Sequence, residues 1–502
     1  IQQPPVASSG FSSQAFAPHY PHTERLTETK QCEDCHVSAN GDNNAIMAQL
    51  LLQGTNFVNF IGGYALVGEE GHVEGVNVTE LDEPQAVIGS YLQRMAYPDF
   101  YRQHEARDRQ LREAYGIDSD GPAQCIQMRG EYVYVAEGEG GFRVYDAASL
   151  PNKGFSQRII RAPFSPLGHD AHVPSKNATC MALPTNQPIA PFKNEGELMR
   201  VTNQEQPFHP IYHYAFVVDA EEGLIVVKVD TFADGEPRNN FLERAATWNE
   251  GGVLTGARHI VVAGHYAYVT TPRGVQVVDL DDPLKPKALA FVALDDARAT
   301  AVQFRYLFVT AGSGLHVVDL TDMRAPRLLP TSVPLRDARR VYVARTYAYV
   351  AAGEEGLAIV NVTKPEAPAL LTRFTADGVI NDARDVVVGS TNASLFAYVA
   401  DGRNGLRVIQ LTSPESQPNF YGFSPEPKPA LIASRATRSP AIALSKGLDR
   451  DRAVDETGGQ IAVFGRLGSR PFNLEEMQRL YLNPDGTVWT VRNTLPAAGA
   501  RP

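Results

Sequence analysis

Five residues, Cys32-Glu33-Asp34-Cys35-His36, carry the most specific chemistry in the chain. Two thiols at this spacing, followed at once by an imidazole, suit covalent attachment of a haem. The thiols add to the two vinyl groups and the adjacent histidine reaches the iron. Cys32 and Cys35 are the expected thioether positions, and His36 the expected proximal ligand. The competing readings are a redox Cys-x-x-Cys and half of a zinc site. No second Cys-x-x-Cys occurs and no thioredoxin-like βαβ pattern follows, so one covalent haem c is the expected cofactor.

The sixth iron position has several candidates. His22 and His19 lie just upstream in "APHYPHTERL", and Met47 lies downstream. His169 and His172 sit farther on in "GHDAH", and another chain or an open site completes the set. The upstream histidines resemble those of multihaem cytochromes, whose haems are often held by two histidines with little secondary structure. That resemblance implies a six-coordinate iron that passes electrons and leaves no position for substrate. The other two of the four cysteines are Cys125 and Cys180. They are either two buried thiols or a disulfide. The disulfide is expected, because haem attachment places the chain outside the cytoplasm.

These groups need a scaffold, and the rest of the chain is repetitive. An aromatic-led strand, a Gly-containing turn and a second strand ending in Asp or Asn recur seven times. The copies include "EYVYVAEGEGGFRVYD", "HYAYVTTPRGVQVVDL" and "TYAYVAAGEEGLAIVNV". Their anchors are Tyr64, Tyr132, Tyr214, Tyr266, Tyr306, Tyr347 and Phe396. A period of roughly 40 to 50 residues with several short strands per unit predicts an all-β, seven-bladed β-propeller. The expected organisation is an arm over 1–54, the propeller over 55–420, and a linker with a closing or docking segment over 421–502. Insertions are expected at about 97–115, helical after Pro98, and at about 151–210. Between His36 and the first blade there is no room for an independent cytochrome fold.

The strand ends Val277-Val278-Asp279-Leu280, Val317-Val318-Asp319-Leu320 and Ile359-Val360-Asn361-Val362 resemble those of the LVIVD-repeat family. The resemblance spans about 55–412 and implies a propeller. It implies little about activity.

Eight residues before each anchor lies a polar side chain: Asn56, Gln124, Gln206, Arg258, Arg298 and Arg339, with Arg384 matching after a short shift. Inner strands line a propeller's channel, so these groups are expected near one mouth. Two readings are open. Four guanidinium groups form an anion site, or Asp296, Asp337 and Asp382 each pair with the next blade's Arg as an interblade ladder. His259, His265 and His316 occupy different repeat positions and predict no metal ring.

Formal net charge is −11, which argues against nucleic acid as a partner. No apolar run approaches the roughly 18 residues that cross a membrane. The chain begins at Ile1 and is read as a trimmed product. The leading expectation is a monohaem electron carrier in a periplasm or at a cell surface. Its partners would be other cytochromes, redox subunits or copies of itself, up to a filament. The alternatives are an oxidoreductase that binds an anionic substrate at the channel, and a structural or adhesive propeller.

Overall fold

The computed structural model describes residues 64–80, 86–129, 132–146, 160–161, 171–183, 210–233, 241–391, 394–418, 424–446, 466–467 and 470–471. Seven sheets stand around one axis. Their innermost strands are Ala441–Lys446, Cys125–Arg129, Ala178–Ala182, His259–Ala263, Ala297–Gln303, Arg340–Ala344 and Asp385–Thr391, belonging to blades 1 to 7 in that order. Each contacts the next, and Asp385–Thr391 contacts Ala441–Lys446, so the ring is closed. The fold is an all-β seven-bladed propeller.

Blade 5 shows why this sequence takes this form. Tyr306–Ala311 and Gly314–Asp319 pair antiparallel across a two-residue turn. All six residues of Tyr306–Ala311 are buried, because both faces of a blade are covered. Leu307 and Val309 enter the core shared with blade 4, while Tyr306 and Phe308 enter the one shared with blade 6. Strand alternation thus distributes one apolar run between two interfaces. Burying a Phe or Val in this way contributes roughly 1.5–3 kcal/mol, and no blade can gain it alone.

Two features of the closure differ from the sequence expectation. The proline-punctuated stretch after residue 421 is not a linker. It supplies Ala430–Arg435, the outer strand of blade 7, and Ala441–Lys446, the inner strand of blade 1. The propeller therefore extends to at least residue 446, and strand 441–446 closes the ring by pairing Ala65 with Lys446 and Glu69 with Ala441. Asn56 lies outside the described residues. Blade 3 also differs. Its inner strand is Ala178–Ala182, paired with Tyr214–Asp219, so residues 151–210 are not a single insertion. Gln206 lies outside the described residues.

Two short helices follow blade 1's Tyr64–Asn77 strand: α1 (Tyr91–Ala96) and α2 (Pro98–Glu105). The Ser90 hydroxyl caps α1 by accepting from the Gln93 N–H at 3.2 Å, and Pro98 opens α2 where its missing N–H costs nothing. α2 is the expected helix after Pro98; α1 is an additional one. Beyond them, the Leu111 N–H donates to the Ser434 carbonyl at 2.8 Å and the Ser434 N–H to the Arg109 carbonyl at 2.9 Å. Arg435 pairs with Glu74 at 2.8 Å. The excursion thus covers the open edge of blade 7 and fastens it to blade 1, which removes an unpaired edge.

Antiparallel pairing fixes which end of the ring each connection occupies. Gly402 bridges Ala441 at the end where the inner strands begin. Tyr64, Lys446, Leu183, Tyr214 and the α1–α2 excursion all lie at the other end.

Candidate functional site

Where the inner strands begin, the four arginines and three aspartates form one continuous network. Asp296 accepts from Arg258 of the preceding blade and from Arg298 of its own, the latter at 3.0 Å. Asp337 likewise joins Arg298 and Arg339, with 2.8 Å to the latter. Asp382 joins Arg339 at 2.7 Å and Arg384 at 3.1 Å. Arg384 extends the series to Glu70 of blade 1 at 3.7 Å. Of the two sequence readings this is the interblade ladder. Each Asp reaches back to the preceding blade's Arg, however, rather than forward. Every arginine of the set already has a carboxylate. A bare cationic ring is not what the geometry presents.

The surroundings are built for this ladder. Burial pushes the three aspartyl carboxyls up, but the flanking guanidinium groups outweigh it and hold them below the usual range. Gly402, at φ 48, takes a left-handed conformation that favours glycine, and a Cβ there would lie 1.8 Å from the Asp382 Oδ2. Threonine hydroxyls stitch the same seams: Thr270 donates to the Arg298 carbonyl and Thr310 to the Arg339 carbonyl, both at 2.9 Å. In blade 3, Thr179 donates to the Ala257 carbonyl at 2.9 Å. Asp337→Ala is expected to lower stability by about 1–2 kcal/mol, since it strips two guanidinium groups of a partner at once. The loss, read by urea unfolding, should shrink in 1 M salt; a loss unchanged by salt would mean that packing, not charge, carries it.

One residue deeper along the inner strands lie Cys125, Cys180, His259, Arg340 and Asp385. The Cys125 and Cys180 sulfurs are bonded at 2.04 Å, which joins the inner strands of blades 2 and 3. Arg340 of blade 6 crosses the central channel to donate to the Gln124 carbonyl at 3.2 Å, with the Cys180 sulfur 3.9 Å from its Nη1. The channel is therefore bridged from one side to the other by a guanidinium. Burial lowers the Arg340 pKa, and the Asp385 charge opposes that shift. Burial raises Asp385, with Arg340 pulling it back. His259 is held well below the ordinary imidazole range by burial, then by Arg340, and its ring pairs with Thr300 at 3.2 Å. This layer escaped the sequence reading, although its signal was present seven residues before the anchors, at Cys125, His259 and Arg340.

Cys32, Cys35, His36, His22, His19, Met47 and His169 lie outside the described residues. His172 is described. It pairs with Arg143 in blade 2 and its Nε2 lies 2.7 Å from the Gly140 carbonyl, at the ladder end of the ring. Among the described residues no group of three or more His, Cys, Asp or Glu side chains could hold a metal, and no helix is long and apolar enough to cross a membrane.

The LVIVD repeat matches residues 120–151, 256–289, 335–376 and 382–423. The chain carries LVIVD repeats. The matched segments fall on blades 2, 4, 6 and 7 of the propeller. Similar solved structures include a protein of Lactobacillus plantarum at 12% identity, covering 76% of this chain and 98% of that one with a TM-score of 0.48. Apo AztD from Citrobacter koseri is 11% identical, covering 76% and 96% with a TM-score of 0.38. No curated protein matches the sequence.

Proposed function

We propose that the chain is a monohaem c-type cytochrome working in electron transfer outside the cytoplasm, with the LVIVD propeller as scaffold and docking platform. One observation carries the reading: the donor set Cys32, Cys35 and His36 has the thiols and imidazole that covalent haem attachment needs, in the order it needs them. Cys32 and Cys35 would hold the group and His36 would ligate it. His22 or His19 would take the opposite position. The bound haem would supply one-electron exchange without a substrate position. The propeller residues contribute rigidity and surface rather than chemistry.

Two further features support the reading. The Cys125–Cys180 bond suits an oxidising compartment. Tyr64, the first described residue after the haem motif, sits at the end of the ring that carries the α1–α2 excursion, opposite the arginine ladder. An oxidoreductase using the ladder as its substrate site is disfavoured, because each of those arginines is already paired. Partners would be other cytochromes, redox subunits or further copies of the chain.

The test is haem staining of denatured protein produced with a haem-attachment apparatus, together with a pyridine haemochrome assay. One covalent haem per chain, low-spin and lost in the Cys32→Ala/Cys35→Ala double variant, is the expected result. A high-spin spectrum would favour the oxidoreductase. Absence of covalent haem would end the proposal and leave a seven-bladed interaction module.

A further inference from the structure

Beside blade 1, under the α1–α2 excursion, lies a cavity of about 240 Å³. Its wall includes Arg107, Arg112, His104, Glu80 and Glu113. Burial lowers the Arg107 pKa, the Arg112 charge lowers it further, and the Glu80 charge opposes both. Among the described residues neither makes an ion pair, in contrast to Arg102, Arg109 and Arg435 nearby, which pair with Asp99, Glu105 and Glu74. The Arg107 Nε is buried without a hydrogen-bond partner. Glu80 accepts from the Gln93 Nε2, so its carboxylate is already engaged.

His104 adds a second unsatisfied group. It is 1% exposed, and its Nε2 lies 2.9 Å from the Ile432 carbonyl. A carbonyl only accepts, so Nε2 carries the proton. Burial lowers the imidazole pKa, with the Ile432 contact opposing, and the ring is neutral. Nδ1 is then a bare lone pair, and it too is buried without a partner. Buried polar groups are rarely left so, because each forfeits its hydration without a replacing hydrogen bond.

We propose that this cavity binds a small organic acid carrying a hydrogen-bond donor beside its carboxylate, the hydroxy-acid or amino-acid class. Arg107 and Arg112 receive the carboxylate and relieve their mutual repulsion. The donor, a hydroxyl or an amine, meets the His104 Nδ1. The volume lies below the roughly 300 Å³ at which drug-sized sites begin, which limits the ligand to a small acid. The site is independent of haem.

Isothermal titration of the full chain with L-lactate, L-serine, acetate and inorganic phosphate tests this. Lactate or serine should bind saturably, and more tightly than acetate. Affinity should fall about tenfold or more in Arg107→Gln, the loss of one charge-assisted bond. It should be unchanged in Arg102→Gln, whose guanidinium sits on α2 and pairs with Asp99. His104→Gln should erase the preference over acetate, which a merely structural histidine would not do. Binding of lactate alone or of serine alone identifies the donor as hydroxyl or amine and supports the site. No saturable binding of either acid, equal affinity in Arg107→Gln, or tighter binding of phosphate would overturn the proposal. Because the readout is heat, it stands whether or not the chain carries haem.

Discussion

Cys180→Ser should lower the unfolding free energy by about 4 kcal/mol, the value that the chain-entropy relation gives for a bond closing a loop of this length. The two cysteines are 55 residues apart, and the loop between them contains the outer strands of blade 2. The bond ties the unfolded chain across a blade boundary, which is where a propeller would otherwise come apart. Cys125→Ser should cost about the same, and the double variant little more than either single one, since both remove one bond. Urea unfolding of the three variants checks this. Additive losses would show that the two side chains act separately, and that the bond contributes little. Mild reduction of the wild-type chain should reproduce the loss without any substitution.

The second large effect concerns pH. Burial drives the Glu137 pKa up to about 7, against opposing hydrogen bonding by Tyr145 and the charge of Arg143. The folded state therefore holds a proton that the unfolded chain releases near pH 4.5. Stability from this group is complete below about pH 4.5 and declines as pH rises through 7, at roughly 1.4 kcal/mol per unit. Over the window that amounts to about 3 kcal/mol. Glu69 and Asp401 are raised by burial too and add in the same direction. The ladder aspartates, held low, act in the opposite sense: their contribution is present above about pH 4 and lost below it. Maximal stability is expected between these ranges, on the mildly acid side. Glu137→Gln should flatten the decline between pH 5 and 7 and unfold later than wild type at pH 8. A variant whose profile tracks wild type throughout would show that Glu137 is ionised in the folded chain.

The hairpins of the propeller were legible because local chemistry dictates them. Strand-forming aromatics and valines on both sides of a Gly turn, as at Tyr306–Asp319, announce themselves within some fifteen residues. The inner strands were legible only where they directly precede their hairpin, as in blades 4, 5 and 6. In blade 3 the inner strand ends at Ala182 and its partner starts at Tyr214, so counting back from Tyr214 reached the wrong residue. In blade 1 the inner strand comes from the other end of the chain, which no spacing can reveal. The Arg–Asp ladder could be anticipated from the "DAR" spacing, but its direction depends on the stagger between blades. The cavity under α1–α2 left no signal: Glu80, His104, Arg107 and Arg112 are polar residues of irregular spacing, and only tertiary packing leaves the imidazole half satisfied.

The closing strand also sets how the ring responds to tension. Tyr64–Glu69 and Ala441–Lys446 run antiparallel, with Ala65 beside Lys446, so the two flanking segments leave from the same end of the pair. Pulling those segments apart loads the last strand from its Lys446 end. Its backbone hydrogen bonds then break one after another, as in peeling, rather than sharing the load as they would in shear. A tether through one flank alone bypasses that seam. In any assembly under strain, this propeller should hang from one end of its chain and leave the other unloaded.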